Sequence, residues 1–149
     1  GEAAHGALCG DVDHARFGDA LPPIYITESG CSFHDAPDAA GVVDDEARID
    51  YHDAHLRALR SAMDDGVDVR GYFVWSLLDN FEWAAGYKER FGLVHVDFDT
   101  QKRTPKTSFE WYRALIAEHK AAQVWRCLVR HQGMQLGGAR QQHHHIELG

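Results

Sequence analysis

Hydrophobic and polar residues alternate between strand-like and helix-like patterns over residues 22–120. The short apolar run Ile24–Thr27 predicts a buried strand, and the β-branched and aromatic run over 69–78 predicts a second one. Between them, apolar residues recur at helical spacing and predict a helix over about 45–64. The order strand, helix, strand indicates a parallel sheet built from βα repeats.

The predicted helix has polar signals at both of its ends. Asp44 is a suitable N-cap, and Gly66 is a natural stop. Its apolar face carries Ile49, Leu56, Leu59 and Met63. His52 and His55 are three residues apart on this helix, but no HExxH motif surrounds them. We therefore interpret both histidines as surface or packing residues and not as metal ligands.

Shorter elements are predicted after the second long strand. Alternating residues over 93–98 indicate a short strand, and helical spacing indicates a last helix over 107–119. Lys102, Arg103 and Lys106 lie between them and are interpreted as a solvated basic turn. Only two long buried strands are predicted, whereas a closed parallel barrel needs eight. We therefore expect this chain to be the end of a larger architecture.

The sequence changes character towards both ends, which predicts three zones. Residues 1–21 form an atypical N-terminal flank, residues 22–120 form the βα region, and residues 121–149 form an atypical, flexible tail. The tail is rich in Gln and His and contains His143-His144-His145. Without Cys or carboxylate spacing, such a run predicts a disordered end and not a metal site.

Composition narrows the range of partners. The 149 residues are 44% hydrophobic and carry a formal net charge of -8, which argues against nucleic acid or an anionic membrane surface as a partner. The longest apolar stretch, Gly71–Leu78, is too short to cross a bilayer, and no signal-peptide pattern is visible. Cys9, Cys31 and Cys127 form no CxxC motif. We therefore predict a reduced, cytoplasmic protein.

Glu28 is the most informative residue, because it ends the first predicted strand and is followed by Ser29-Gly30. A carboxylate in this position could be a nucleophile, a general acid or base, a metal ligand, or a solvated turn residue. The second predicted strand leads into Trp75, Glu82 and Trp83. Indole rings stack on pyranose faces and carboxylates accept hydrogen bonds from hydroxyl groups, so this cluster favours sugar binding over ordinary core packing.

Residues 24–30 and 71–93 closely resemble the C-terminal part of family 1 glycoside hydrolases, the β-glucosidase family. The resemblance covers about residues 20–120 and implies an α/β fold, the C-terminal portion of a TIM (β/α)8 barrel with strands 7–8 and helices 7–8. The family's usual Thr-Glu-Asn-Gly pattern has Ser29 in place of Asn here. A cis peptide bond between Trp75 and Ser76 is also typical of the family.

The resemblance implies a role for five side chains in a retaining β-glycosidase that hydrolyses the O-glycosidic bonds of β-D-glucosides in carbohydrate metabolism. Glu28 matches the catalytic nucleophile and Trp75 the platform under the glycone ring. Glu82 matches the acceptor for the O4 and O6 hydroxyls, and Trp83 the donor to O3. Phe91 matches an aromatic residue of the same pocket. The family reaction implies neither a cofactor nor a metal.

The same resemblance implies an unphosphorylated glycone and a missing catalytic group. Relatives that act on 6-phosphorylated sugars typically have Ser where this chain has Glu82, and Lys and Tyr where it has Glu89 and Phe91. The family's acid/base Glu lies in an Asn-Glu-Pro motif, which does not occur in these 149 residues. We therefore expect a fragment that is inactive alone. The alternatives are a non-catalytic carbohydrate-binding fragment and a relic without sugar function.

Overall fold

The computed structural model describes residues 16–122. The predicted tail with its histidines, and most of the predicted N-terminal flank, lie outside the described residues. The chain forms two compact units, Gly1–Trp111 and Tyr112–Gly149. All the described strands and the candidate site belong to the first unit. Of the second unit the structure describes 112–122, which are helical.

A parallel strand pair with one helical connection forms the framework of the first unit. Strand β1 (Ile24–Ser29) pairs in parallel with β2 (Val69–Val74), and helix α1 (Glu46–Asp64) connects them. This confirms the predicted strand–helix–strand order and the parallel pairing. A 19-residue helix gives the chain the length it needs to return to the starting edge of the sheet.

Strand β2 ends at Val74, four residues before the predicted end at residue 78. The reason is a change of partner. The Trp75-Ser76 peptide bond is cis, as the family resemblance predicts. Beyond it, the chain leaves β1 and pairs with a later segment: Leu93 N donates to Ser76 O at 2.9 Å, and Val94 N donates to Leu77 O at 2.9 Å.

A small antiparallel hairpin follows, formed by β3 (Val94–Val96) and β4 (Arg103–Pro105). The sequence predicted β3 but gave β4 as a turn, because three residues that end in Pro carry no strand pattern. The Asp97 carboxylate orders the turn between them by accepting hydrogen bonds from the Asp99 and Thr100 amides at 3.0 and 2.9 Å. Helix α2 covers 107–122 of the described residues.

Helix α1 differs from the sequence prediction at its start and on its buried face. Its N-cap position is Asp45 and not Asp44, and Gly66 follows its end with a φ of 104°. Met63, assigned to the apolar face, is 43% exposed. The buried residues of α1 are Arg48, His52 and Ala62. Polar side chains therefore occupy much of the face where the pattern predicted an apolar stripe.

A buried network of charges, here called the charged cluster, explains this difference. Its members are Asp35, Asp45, Arg48, Asp79, Arg90 and Lys106. Asp35 lies 2.7 Å from Arg48 Nη1 and 2.5 Å from Lys106 Nζ. Asp79 lies 3.2 Å from Lys106 Nζ and 3.0 Å from Arg90 Nη1. The cluster joins the loop after β1, the start of α1, the segment after β2 and the start of α2.

Lys106 corrects the sequence interpretation most directly. It was assigned to a solvated basic turn, but it is only 1% exposed. A buried ammonium group is tolerated only when it is paired and hydrogen-bonded, and Asp35 and Asp79 supply that pairing.

Among the described residues, no helix combines the length and the apolar character needed to cross a membrane.

Candidate functional site

The end of β1 and the segment after β2 lie side by side. Trp75 N donates to Ser29 O at 2.8 Å, which continues the β1–β2 pairing by one hydrogen bond. In a parallel pair both strands end at the same edge, so Glu28 and Trp75 are presented together. The residues Glu28, Trp75, Glu82, Trp83 and Phe91 are called the strand-end site below.

Gly30 allows the close approach of the two strand ends. A Cβ atom at this position would lie 1.9 Å from the carbonyl oxygen of Trp75. No side chain can occupy that space without moving the backbone, since non-bonded heavy atoms normally stay more than 3 Å apart. The Ser29-Gly30 pair in the sequence is thus explained by contact with Trp75.

Glu82 is held by the indole of Trp75. Trp75 Nε1 donates to Glu82 Oε1 at 3.1 Å. Glu82 precedes a short 3₁₀ turn, Trp83–Ala85, and its amide donates to Gly86 O at 2.7 Å. Trp83 itself has a φ of 41° and is 85% exposed. The structure therefore brings Trp75 and Glu82 into direct contact, and leaves the Trp83 ring in solvent.

Phe91 reaches the same region through backbone contacts. Its carbonyl accepts a hydrogen bond from Ser76 N at 3.3 Å, next to Trp75. On one side of Phe91, the Arg90 carbonyl accepts from Arg48 Nη2 at 2.6 Å. On the other side, a Cβ at Gly92 would lie 2.2 Å from the amide nitrogen of Asp79, so glycine is needed there.

Asp79 fixes the spacing between the Glu82 loop and the Phe91 segment. Its carboxylate accepts from Gly92 N at 2.9 Å and from Val96 N at 3.3 Å, in addition to its contacts in the charged cluster. Sequence reasoning did not assign a role to Asp79. The available signal was an acid directly after a buried apolar run, the same signal that identified Glu28.

The Glu28 carboxylate is exposed, and within residues 16–122 no side chain hydrogen-bonds to it. It is therefore open to a ligand from the solvent side. Cys31, the described cysteine nearest to it in sequence, is a poor nucleophile, because burial raises the pKa of its thiol to about 11. The Cys31 thiol is therefore protonated at neutral pH.

A model of a known protein family matches most of the described chain. The family model described as "Glycosyl hydrolase family 1" matches residues 14–121. The match includes every residue of the strand-end site and of the charged cluster.

Individual relatives match about two thirds of the chain or more. A bifunctional β-D-glucosidase/β-D-fucosidase of Bifidobacterium breve is 49% identical over 112 residues, which are 71% of this chain and 24% of that protein. A 6-phospho-β-galactosidase of Staphylococcus haemolyticus is 52% identical over 98 residues, which are 65% of this chain and 21% of that protein. The chain thus spans about a quarter of the length of these relatives.

Solved structures give the same result for the fold. The crystal structure of a psychrophilic β-glucosidase from Micrococcus antarcticus superposes with a TM-score of 0.74 at 49% identity. The match covers 78% of this chain and 24% of that structure. Most of this chain therefore has the backbone arrangement of one part of a longer chain.

Proposed function

The chain belongs to glycosyl hydrolase family 1, and from that membership we propose that it forms the strand 7 to strand 8 part of a retaining β-glycosidase barrel. The reaction is hydrolysis of the O-glycosidic bonds of β-D-glucosides. One observation carries the proposal: the hydrogen bond from Trp75 N to Ser29 O, which holds the acid-bearing end of β1 against the tryptophan-bearing segment after β2.

In this proposal Glu28 attacks the anomeric carbon and forms a covalent glycosyl-enzyme. Trp75 stacks under the glycone ring, and Glu82 accepts hydrogen bonds from its O4 and O6 hydroxyls. The contact between Trp75 Nε1 and Glu82 supports this, because it orients the carboxylate before sugar arrives. Trp83 donates to O3, and Phe91 lines the pocket.

The glycone is unphosphorylated. Glu82 and Glu89 would both lie near a 6-phosphate, and like charges repel most strongly where water is excluded. Glu89 accepts a hydrogen bond from Ser32 Oγ, which holds its carboxylate in place. Overall identity does not decide this point, since the 6-phospho-β-galactosidase relative is 52% identical. The proposal of an unphosphorylated glycone is supported by the negative charges of Glu82 and Glu89.

A retaining mechanism needs a second carboxyl group, about 5–5.5 Å from the nucleophile, as acid and base. The Asn-Glu-Pro motif that carries it in the family does not occur in these 149 residues. Cleavage of an ordinary glucoside therefore needs an acid from outside this sequence. Glycosylation by a substrate with an activated leaving group does not, because such a group departs without a proton.

The proposal is therefore tested with a substrate whose leaving group departs without an acid. The chain is incubated with 2,4-dinitrophenyl 2-deoxy-2-fluoro-β-D-glucoside, and the labelled residue is found by peptide mass spectrometry. We expect labelling at Glu28, none in Glu28→Gln, and normal labelling in Glu46→Gln, an exposed control at the start of α1. The 6-phosphorylated reagent should label much more slowly. A folded chain that stays unlabelled, or is labelled elsewhere, contradicts the proposal.

A second function is favoured by the exposed Trp83 ring and the missing Asn-Glu-Pro motif. It is non-catalytic carbohydrate binding through Trp75, Glu82 and Trp83. A glucose-dependent change of tryptophan fluorescence without labelling of Glu28 would support it. Absence of both signals would identify a relic without sugar function.

A further inference from the structure

A line of hydrogen bonds approaches Glu28 from the helix side of the sheet. Successive side chains of a strand point to opposite faces, so Ser29 faces away from Glu28. On that face, Tyr72 of β2 donates from its hydroxyl to Ser29 Oγ at 2.9 Å. The Nδ1 atom of His52, on α1, lies 3.0 Å from the same hydroxyl oxygen. Helix, second strand and first strand are thus connected.

The protonation of His52 fixes the direction of these hydrogen bonds. Burial, together with the nearby positive charge of Arg48, lowers the pKa of His52 to about 4, so the ring is neutral at pH 7. A neutral imidazole has one N–H. Since the Tyr72 proton is directed at Ser29, the Tyr72 oxygen accepts, and Nδ1 of His52 carries the proton.

Burial of the His52 side chain lowers the stability of the fold in one respect. Its side chain is 1% exposed, and its Nε2 has no hydrogen-bond partner within the described part of the chain. A buried polar atom without a partner is destabilising, and an apolar side chain of similar size would avoid that cost. The contact that His52 does make, to Tyr72, is therefore its distinguishing contribution.

The end of β1 needs such support. Its register with β2 is irregular between Ile26 and Ser29, the interval that contains Glu28. Glu28 therefore lies outside the regular ladder, and its backbone is fixed by what holds the neighbouring Ser29. Ser29 pairs with Val74 of β2, its carbonyl accepts a hydrogen bond from Trp75 N, and its hydroxyl accepts one from Tyr72.

We propose that Ser29, Tyr72 and His52 are positioning residues for Glu28, linked by hydrogen bonds from the buried face of α1 through β2 to the end of β1. This inference rests on the proposed role of Glu28 as the nucleophile. A nucleophile misplaced by about 1 Å loses up to about a hundredfold in rate, so an indirect support of this kind affects the reaction. Ser29, which stands where the family usually has Asn, supplies the hydroxyl that ends the line.

The test compares Tyr72→Phe, which removes only the central hydroxyl, with Tyr25→Phe, which changes an exposed tyrosine of β1. Two rates are measured: amide hydrogen exchange of residues 27–30, and labelling of Glu28 by the activated fluoroglucoside. In Tyr72→Phe we expect exchange to be about tenfold faster and labelling about tenfold slower. Tyr25→Phe should leave both rates within about twofold.

Two variants of His52 separate positioning from general packing. His52→Asn keeps an amide group near the place of Nδ1 and should retain most of the wild-type labelling rate. His52→Leu fills the space without a donor and should behave like Tyr72→Phe. A melting temperature measured for each variant shows whether a rate changes without loss of the fold.

Each outcome decides the proposal. Unchanged exchange at residues 27–30 in Tyr72→Phe overturns it, and so does faster exchange with an unchanged labelling rate. Equal labelling in His52→Asn and His52→Leu excludes a hydrogen-bonding role for His52. If the wild-type chain is not labelled, the proposed function fails, and the exchange rates alone then decide whether the hydrogen bonds order the end of β1.

Discussion

The charged cluster and the strand-end site are built from neighbouring segments but differ in how they are satisfied. In the charged cluster, the side chains of Arg48, Asp79 and Lys106 are fully buried, and each pairs with an opposite charge. In the strand-end site, Trp83 is 85% exposed and Glu28 is exposed. The difference shows that this chain supplies the partners of its buried charges, and leaves the side chains of Glu28 and Trp83 open to solvent.

The two regions nevertheless depend on each other. Asp79 accepts a hydrogen bond from the backbone of Gly92, just after Phe91, and Arg48 donates to the carbonyl of Arg90, just before it. The cluster therefore sets the backbone that carries the site. If this comparison is correct, changes in the cluster should cost mainly stability, and changes in the site should cost mainly binding or chemistry.

The largest expected effect is that of Asp79→Asn. It leaves Lys106 and Arg90 without their shared carboxylate, and breaking a buried pair costs about 3–5 kcal/mol. For a protein of ordinary stability this is a large part of the free energy of unfolding. Urea unfolding followed by circular dichroism measures it.

The matched control for Asp79→Asn is Asp53→Asn. Asp53 pairs with Arg57 on the surface of α1, where the side chains are 44% and 78% exposed. An exposed pair contributes only about 0–1 kcal/mol, so the control should unfold almost like the wild type. Equal losses in both variants would show that the charged cluster is no more important than a surface pair.

The next effect is a dependence of stability on pH that comes from His52. Its pKa is 6.5 in an unfolded chain and about 4 in the folded one. Between these values the unfolded chain binds a proton that the folded chain does not, so the free energy of unfolding falls as the pH is lowered. We expect a loss of roughly 2–3 kcal/mol from this group.

Unfolding measured from pH 7 to pH 4 tests the role of His52. His52→Leu should remove most of the slope, and His34→Gln, at an exposed histidine, should not. Burial also lowers the pKa of His95, which adds a remaining slope of the same sign. A slope unaffected by His52→Leu would assign the acid sensitivity to another group.

Asp45, in the charged cluster, should keep its contribution to stability at lower pH than His52 does. Burial acts to raise the pKa of Asp45, but hydrogen bonds from Ser108, Thr107 and Arg48 outweigh it and hold the pKa below 3.8. Stability from Asp45 is therefore lost only as the pH falls below that value. The two regions are thereby distinguished by the pH range in which each one weakens.

A smaller loss of stability is expected for Gly30→Ala. The added methyl group would lie 1.9 Å from the Trp75 carbonyl oxygen, and relieving such overpacking costs about 1–3 kcal/mol. The strand ends must separate, so labelling of Glu28 should be lost even at a temperature where the variant is folded. Normal labelling in folded Gly30→Ala would show that contact between Ser29 and Trp75 is not needed at the site.

The sequence predicted the features that depend on local pattern. Periodicity identified β1, α1, β2 and their parallel order, and the position of Glu28 at a strand end followed from them. The charged cluster could not be predicted, because it joins residues such as Asp35 and Lys106, which are 71 positions apart. The helix N-cap shows the same limit on a small scale. Asp44 and Asp45 have equal propensity, and Ser108, 63 residues away, bonds to Asp45.

The smallest effect on stability and the sharpest test of the comparison is Trp83→Ala. An exposed side chain can be removed with a change of about 0.5 kcal/mol or less. If Trp83 donates to a sugar hydroxyl, however, the affinity for glucose should fall about fivefold or more, since a neutral hydrogen bond contributes about 1 kcal/mol. Calorimetric titration measures the affinity, and urea unfolding measures the stability.

Trp75→Ala is the companion variant of Trp83→Ala. Trp75 is 36% exposed and holds Glu82, so its removal should lower both sugar affinity and stability. A Trp83→Ala protein that loses stability but not affinity would place Trp83 with the structural residues. The strand-end residues with a role in binding would then include Trp75 and Glu82, which share a hydrogen bond, but not Trp83.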